Sequence, residues 1–121
     1  MEYASVTVVD AAAVPGVRLV LRRMSFARRV ELMRRIRELA RPAQFLRAGD
    51  RVGEQMDAGL LRAEIDRVYV EWGVERVEGL ALDGVPATAQ GLAEAGPEEL
   101  FREALDAVKR ECGLSDEERK N

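Results

Sequence analysis

The sequence has no histidine among its 121 residues and a single cysteine, Cys112. Without histidine, a serine or cysteine nucleophile lacks its usual base, and histidine-based zinc sites and pH switches are excluded. One cysteine cannot form an intrachain disulfide or a CxxC site, which is typical of a protein from a reducing compartment. We predict that Cys112 is a small buried residue. These absences remove most common enzyme classes.

Long apolar runs and phosphate-binding loops are missing as well. No segment approaches the roughly 18 apolar residues of a membrane span, and Met1-Glu2-Tyr3 lacks the basic flank and apolar core of a signal peptide. Neither a P-loop nor a Gly-x-Gly-x-x-Gly turn occurs. We therefore expect a protein of the cytoplasm that uses no cofactor or metal, is not an enzyme, and acts by binding.

The composition, 47% hydrophobic and 34% charged, is typical of a globular chain. We predict one domain over residues 1–121 with an α+β fold, in which an N-terminal β-hairpin packs on a bundle of about four helices. The hairpin covers residues 1–24 and the helical bundle covers residues 25–112, with a short extended segment near residues 74–87. A charged C-terminal turn follows at residues 113–121.

Strand signals occupy the first part of the chain. Residues 3–9 are rich in valine, and residues 17–23 alternate between apolar and polar, so that Val17, Leu19 and Leu21 share one face. A Pro-Gly turn signal lies between the two segments. This pattern predicts an antiparallel hairpin.

Two long helices are predicted next. Ser25 is a good N-cap for a helix that ends near Arg41, before Pro42. Its predicted apolar arc consists of Phe26, Val30, Met33, Ile36 and Ala40. After a turn at residues 48–50, a second helix over residues 52–72 should end at Gly73 as its C′ residue. Its predicted apolar stripe consists of Ala58, Leu61, Ile65, Val68, Tyr69 and Trp72.

The remaining elements are shorter. Asp83-Gly84 predicts a turn, and Thr88 should cap a short helix that ends at Gly96. Pro97 is predicted at the first position of a last long helix. That helix should bury Phe101, Ala104, Leu105, Val108 and Cys112. A capping box at residues 115–118 predicts a terminal helical turn. The predicted core combines Leu61, Ile65, Val68, Trp72, Phe101, Leu105 and Val108.

Charge is divided along the chain. Residues 1–51 hold eleven arginines against five acidic residues, a net charge of +6, whereas residues 52–121 hold eight basic against seventeen acidic residues, a net charge of −9. Such a chain either neutralises its own halves or offers surfaces of opposite charge to partners. We favour a solvated or protein-binding basic face. The candidate partner-binding residues are Arg28, Arg34, Arg35, Arg41, Phe45 and Leu46.

Two other functions stay open. The arginine-rich helix over residues 25–41 is also consistent with a small nucleic-acid-binding regulator, although no aromatic residue interleaves the arginines and the isoelectric point is about 5.2. A carboxylate pair for acid–base or metal chemistry is the third alternative, but the spacing of the acidic residues is not diagnostic. The carboxylates considered for it are Asp57, Glu64, Glu71, Glu75 and Glu78.

The layout of the chain resembles the small tail assembly chaperones of long-tailed bacteriophages and prophages. Residues 15–26 (PGVRLVLRRMSF) are similar to the family's hairpin and first helix. The segment from Trp72 through residues 77–80 (VEGL) to residues 82–88 (LDGVPAT) is similar to its tryptophan, Asp-Gly and proline region. The charged residues 114–121 also resemble the family's carboxyl terminus.

This resemblance implies a non-enzymatic protein. It would bind the long helical tape-measure protein during tail assembly, and it would help to recruit tail tube subunits in the cytoplasm of the bacterial host. No catalytic residues are carried over, and self-association is left open.

Overall fold

The computed structural model of the protein describes residues 1–40 and 51–113. These residues form two compact units. The first unit holds the described parts of Met1–Met24 and Tyr69–Asn121, and the second holds those of Ser25–Val68. The prediction of one domain over residues 1–121 stays a prediction.

Three strands of the first unit form an antiparallel sheet in the order β1-β2-β3. β1 (Val6–Asp10) and β2 (Arg18–Arg22) are the predicted N-terminal hairpin. β3 (Val74–Glu78) pairs with the other side of β2, so β2 is the central strand. The described residues also contain four helices, and the predicted α+β class with an N-terminal hairpin is confirmed.

The central strand β2 is buried on both faces. Leu19 and Leu21 lie on the predicted inward face and are at most 1% exposed. Val20 points to the opposite face, because successive side chains of a strand alternate, yet it is also buried. The sequence pattern predicted one buried face for this strand, and the structure buries both faces.

The extended segment near residues 74–87 belongs to two sheets. Its first part is β3, and its second part is a small hairpin of β4 (Ala81–Leu82) and β5 (Val85–Pro86). The predicted Asp83-Gly84 turn joins β4 and β5, with φ of 52° at Asp83 and 81° at Gly84. The predicted extended segment is therefore present, but the prediction did not place β3 beside the N-terminal hairpin, whose sheet it extends. The sequence could not show this because the partner strand β2 lies far away along the chain.

The two long helices have nearly the predicted bounds. α1 (Phe26–Ala40) begins after Ser25, whose Oγ accepts a backbone N–H of the first turn at 3.2 Å. α2 (Arg51–Gly73) runs directly into β3. The predicted end of the first helix at residues 41–42 and the predicted turn at residues 48–50 lie outside the described residues.

The two later helices show how their ends are capped. α3 (Ala89–Ala95) is capped by Thr88, whose Oγ1 accepts a backbone N–H at 2.9 Å, as predicted. α4 (Glu98–Glu111) begins one residue later than predicted, because Pro97 is extended, with ψ of 131°, and is the N-cap itself. The predicted capping box at residues 115–118 lies outside the described residues.

The core of the first unit is built mainly on α4, which packs against β2, while α3 packs against α4 and β3. Trp72, Leu105 and Val108 are buried as predicted, and so is Cys112. Phe101 is only half-buried. Three buried residues of α4 were not predicted, namely Leu100, Ala107 and Lys109.

Lys109 is buried on the same helix, at the edge of the buried face. Its Nζ lies 5.5 Å from the centre of the Tyr69 ring, within reach of a cation–π interaction. Leu61, Ile65 and Val68, the rest of the predicted core, are half-buried residues of the second unit.

Gly73 has a different function from the predicted one. It is the last residue of α2 rather than a C′ residue beyond its end. A Cβ at this position would lie 2.7 Å from Cγ2 of the buried Val108 side chain. Glycine therefore lets the end of α2 approach α4 closely.

The loop between β1 and β2 is held by a carboxylate of α4. Glu103 Oε2 accepts the backbone N–H of Ala12 at 2.7 Å, and Oε1 accepts that of Ala13 at 3.0 Å. A charged acceptor strengthens such hydrogen bonds. Sequence reasoning did not find this contact, because the loop and the helix are remote along the chain.

We expect Glu103→Ala to lower the free energy of unfolding by about 1–2 kcal/mol, because two loop N–H groups lose a charged acceptor that is itself partly exposed to water. Amide hydrogen exchange at Ala12 and Ala13 should also accelerate. The control is Asp106→Ala at an exposed position of the same helix, which should change the free energy of unfolding by no more than about 0.5 kcal/mol and leave exchange at Ala12 and Ala13 unchanged. Equal effects of the two substitutions would show that the hydrogen bonds of Glu103 do not stabilise the loop.

Candidate functional site

The predicted partner-binding residues are divided by the structure. Arg28, Arg34 and Arg35 lie on α1, whereas Arg41, Phe45 and Leu46 lie outside the described residues. Arg34 and Arg35 are exposed and Arg28 is half-buried. The helix therefore offers part of the predicted basic face to solvent.

The buried face of α1 is not the predicted one. Leu32 is its buried residue, and Ile36 and Leu39, which follow at i+4 and i+7, are half-buried. Phe26 and Met33 were predicted on the apolar arc, but they are 86% and 63% exposed. At 100° per residue, the buried face is turned by about 110° from Phe26.

An exposed apolar strip results, formed by Phe26, Val30 and Met33. These positions fall within an arc of about 60° on the helix. Val30 is half-buried and the other two are exposed. We call these three residues the α1 strip.

Arginine side chains surround the α1 strip. Arg29 lies on one side and Arg34 on the other, and Arg37 lies in line with it, as the helical period requires. All three are exposed, and no carboxylate of the described residues forms an ion pair with them. The nearest acidic neighbour in the helix, Glu31, pairs with Arg35 at 3.0 Å. The positive charge beside the strip is therefore not neutralised within the described chain.

A second exposed strip lies on α2. Met56 and Leu60 are 65% and 62% exposed, and Ala63 completes the same arc. The predicted stripe of this helix lies on the opposite side, where Leu61 and Ile65 are half-buried, but Ala58 of the same stripe is exposed, contrary to the prediction. We call Met56, Leu60 and Ala63 the α2 strip.

The charge beside the α2 strip is negative. Asp57 and Glu64 lie about 80–100° from its centre on one side. Both are exposed, and neither forms an ion pair within the described residues. Arg62 lies on the far side of the helix, and Arg67, in line with the strip, has polar partners of its own.

Comparison with protein-family models, with curated proteins and with solved structures finds no match to this chain. A functional proposal therefore depends on the surface of the described residues.

A cavity of about 230 Å³ between the β4–β5 hairpin and α3 is lined by Leu82 and Val85, with Asp83 and Glu94 among its polar residues. Its one hydroxyl, that of Thr88, is engaged in capping α3. In the part of the chain that the structure describes, no three cysteine or acidic side chains are placed to hold a metal ion.

The carboxylates considered for acid–base work include two on β3. Glu75 and Glu78 both pair with Arg76, at 3.4 Å and 3.0 Å. These exposed pairs are ordinary surface charges of an edge strand.

Among the described helices, none is long and apolar enough to cross a membrane.

Sequence reasoning selected the arginines of α1 but missed the two strips. The sequence did contain a sign of them, because α1 and α2 each carry apolar residues on two sides. Only one side of each helix was interpreted, as the side that packs inward. Met56, Leu60 and Ala63 repeat at i, i+4 and i+7, the same spacing that marks a buried face. Which of two such faces packs is decided by the neighbouring elements.

Proposed function

We propose that this protein is a non-enzymatic tail assembly chaperone of a phage or prophage. It binds the helical tape-measure protein in the cytoplasm of the bacterial host and aids assembly of the tail tube. The observation that carries the proposal is the pair of exposed apolar strips on α1 and α2, each of which includes an exposed methionine. Large apolar side chains exposed together mark interaction surfaces, and methionine adapts to partners of varied shape.

In the proposed mechanism, the chain covers an apolar surface of its client. A long amphipathic helix exposes an apolar stripe until it is packaged, and an uncovered stripe leads to aggregation. Burial of one large apolar side chain is worth about 1.5–3 kcal/mol, part of which offsets the loss of translational and rotational freedom. A few such side chains therefore support binding that is specific and reversible, as a chaperone requires.

The direct test uses the purified chain and the tape-measure protein encoded beside it. Light scattering of the tape-measure protein should stay low when the chain is present in equimolar amount and rise in its absence. The matched control is the fourfold variant Phe26→Ser, Met33→Ser, Met56→Ser and Leu60→Ser, which should fail to suppress scattering. Scattering that rises equally fast with and without the wild-type chain would overturn the proposal. The gene should also lie between those of a major tail protein and a very long helical protein.

Charge reversal at Arg34 and Arg35 tests whether the basic face receives a partner. We expect Arg34→Glu/Arg35→Glu to leave the melting temperature nearly unchanged, since Arg34 has no ion pair in the described residues and the exposed Arg35 pair contributes little. Association with the tape-measure protein should slow, because surface charge mainly steers encounter. A pull-down run beside a thermal melt measures both quantities. Unchanged binding with a lowered melting temperature would show that the charge acts only within the chain.

A nucleic-acid-binding regulator is the second candidate, and the exposed arginines around Phe26 favour it. Phosphate contacts release counterions, so the logarithm of the binding constant should fall with that of salt concentration by about 0.9 per phosphate on duplex DNA. A gel-shift titration at low salt that retains neither duplex nor single strands would remove this candidate. The overall negative charge of −3 favours the chaperone instead.

A further inference from the structure

The two strips differ in the sign of the charge beside them. The α1 strip is flanked by Arg29 and Arg34, and the α2 strip is flanked by Asp57 and Glu64. Each strip is apolar and about two helical turns long, and all of its residues but Val30 are exposed. One strip is thus complementary to the other in both hydrophobicity and charge.

From this complementarity we infer that the chain forms a homodimer in which the α1 strip of each copy packs against the α2 strip of the other. In a two-fold dimer this contact is made twice, because residue i of one copy contacts residue j of the other and residue j of the first contacts residue i of the second. The arginines of one copy then lie beside the carboxylates of its partner.

A second copy matches the strips in charge as well as in hydrophobicity. Glu31 is paired with Arg35 in its own helix, and Glu38 also has polar partners within its own chain. Arg34 and Glu64 have no ion pair within the described residues and lie at equivalent positions beside their strips, about 80° from the centre. Opposite charges placed in this way favour pairing between copies and disfavour pairing of two α1 strips.

The size of the surface is sufficient for a dimer. Phe26, Met33, Met56 and Leu60 are all more than three-fifths exposed. Their exposed area is roughly 500 Å² per copy, so two copies would bury about 1,000 Å² from these side chains alone, near the lower limit of a specific interface. Neighbouring alanines and the stems of the arginines add to it.

The dimer does not depend on the proposed function. If both are correct, a helical client competes for the strips, and the dimer covers them when no client is present. The fraction of the chain that is free to bind a client would then fall as its concentration rises, so the apparent affinity calculated on total chain would weaken.

A charge-exchange experiment tests the dimer on the full chain. Light scattering after size exclusion should give a mass of twice 13.5 kDa for the wild type at high concentration. Arg34→Glu alone and Glu64→Arg alone should each weaken dimerisation at least tenfold, because each places like charges opposite one another twice. An equimolar mixture of the two single variants should dimerise as the wild type does, since each contact again joins opposite charges.

Separate controls keep the outcome clear. Arg102→Glu and Glu99→Arg, exposed substitutions on α4, should leave the mass unchanged, and thermal melts should show that all variants are folded. A monomeric wild type at every concentration would overturn the dimer, and so would a mixture of single variants that fails to restore it. Neither result affects suppression of client aggregation, which tests the proposed function by itself.

Discussion

Replacement of Leu100 by alanine should lower the free energy of unfolding by about 2–5 kcal/mol, a large part of the 5–15 kcal/mol of a typical domain. Leu100 is fully buried on α4, the helix that packs against the central strand. Removal of its side chain leaves a cavity that the surrounding sheet and helices fill only partly. Urea unfolding followed by circular dichroism measures the loss.

The control for this prediction is Val85→Ala in the β4–β5 hairpin. Val85 is 62% exposed, so its truncation should change stability by no more than about 0.5 kcal/mol. If Leu100→Ala and Val85→Ala shift the midpoint equally, α4 does not carry the core of the first unit.

Gly79→Ala should lower the free energy of unfolding about as much as a cavity in the core does. The cause is an added atom that has no space, rather than a removed one. Gly79 follows β3 with φ of 82°, and an added Cβ would overlap the carbonyl oxygen of Gly16 in the loop between β1 and β2. The left-handed backbone costs about 1–2 kcal/mol for alanine, and the collision with a backbone atom raises the total loss to about 2–4 kcal/mol. Thermal and urea unfolding should both show it.

Gly84→Ala separates backbone strain from the collision. Gly84 has nearly the same φ, 81°, but nothing lies within 4 Å of the position of its Cβ. Its substitution should cost about 1–2 kcal/mol, the strain alone. If Gly79→Ala lowers the free energy of unfolding no more than Gly84→Ala does, the loop between β1 and β2 moves aside without cost.

The candidate site could be predicted only in part from the sequence. The charge division and the arginines of α1 were visible in composition and spacing. The exposed strips were not, because Phe26 and Met33 satisfy the same helical period as a buried face. Exposure depends on where the rest of the protein lies, and periodicity does not contain that information.

The sequence by itself determined the elements whose causes are local. Ser25 and Thr88 begin their helices because a hydroxyl at the N-cap satisfies a backbone N–H within the same turn. Asp83-Gly84 makes its turn because two adjacent residues accept positive φ. The hairpin of β1 and β2 likewise joins strands that are neighbours in sequence.

Only the tertiary structure decided the features that join distant parts of the chain. β3 became the third strand of the sheet because β2 offered it an open edge, and Gly73 is required where α2 meets Val108 of α4. Glu103 holds a loop that is remote in sequence. Each of these depends on the position of a second group that no local pattern encodes. The buried sides of α1 and α4 were settled in the same way, because a helix with apolar residues on more than one side packs the side that its neighbours cover.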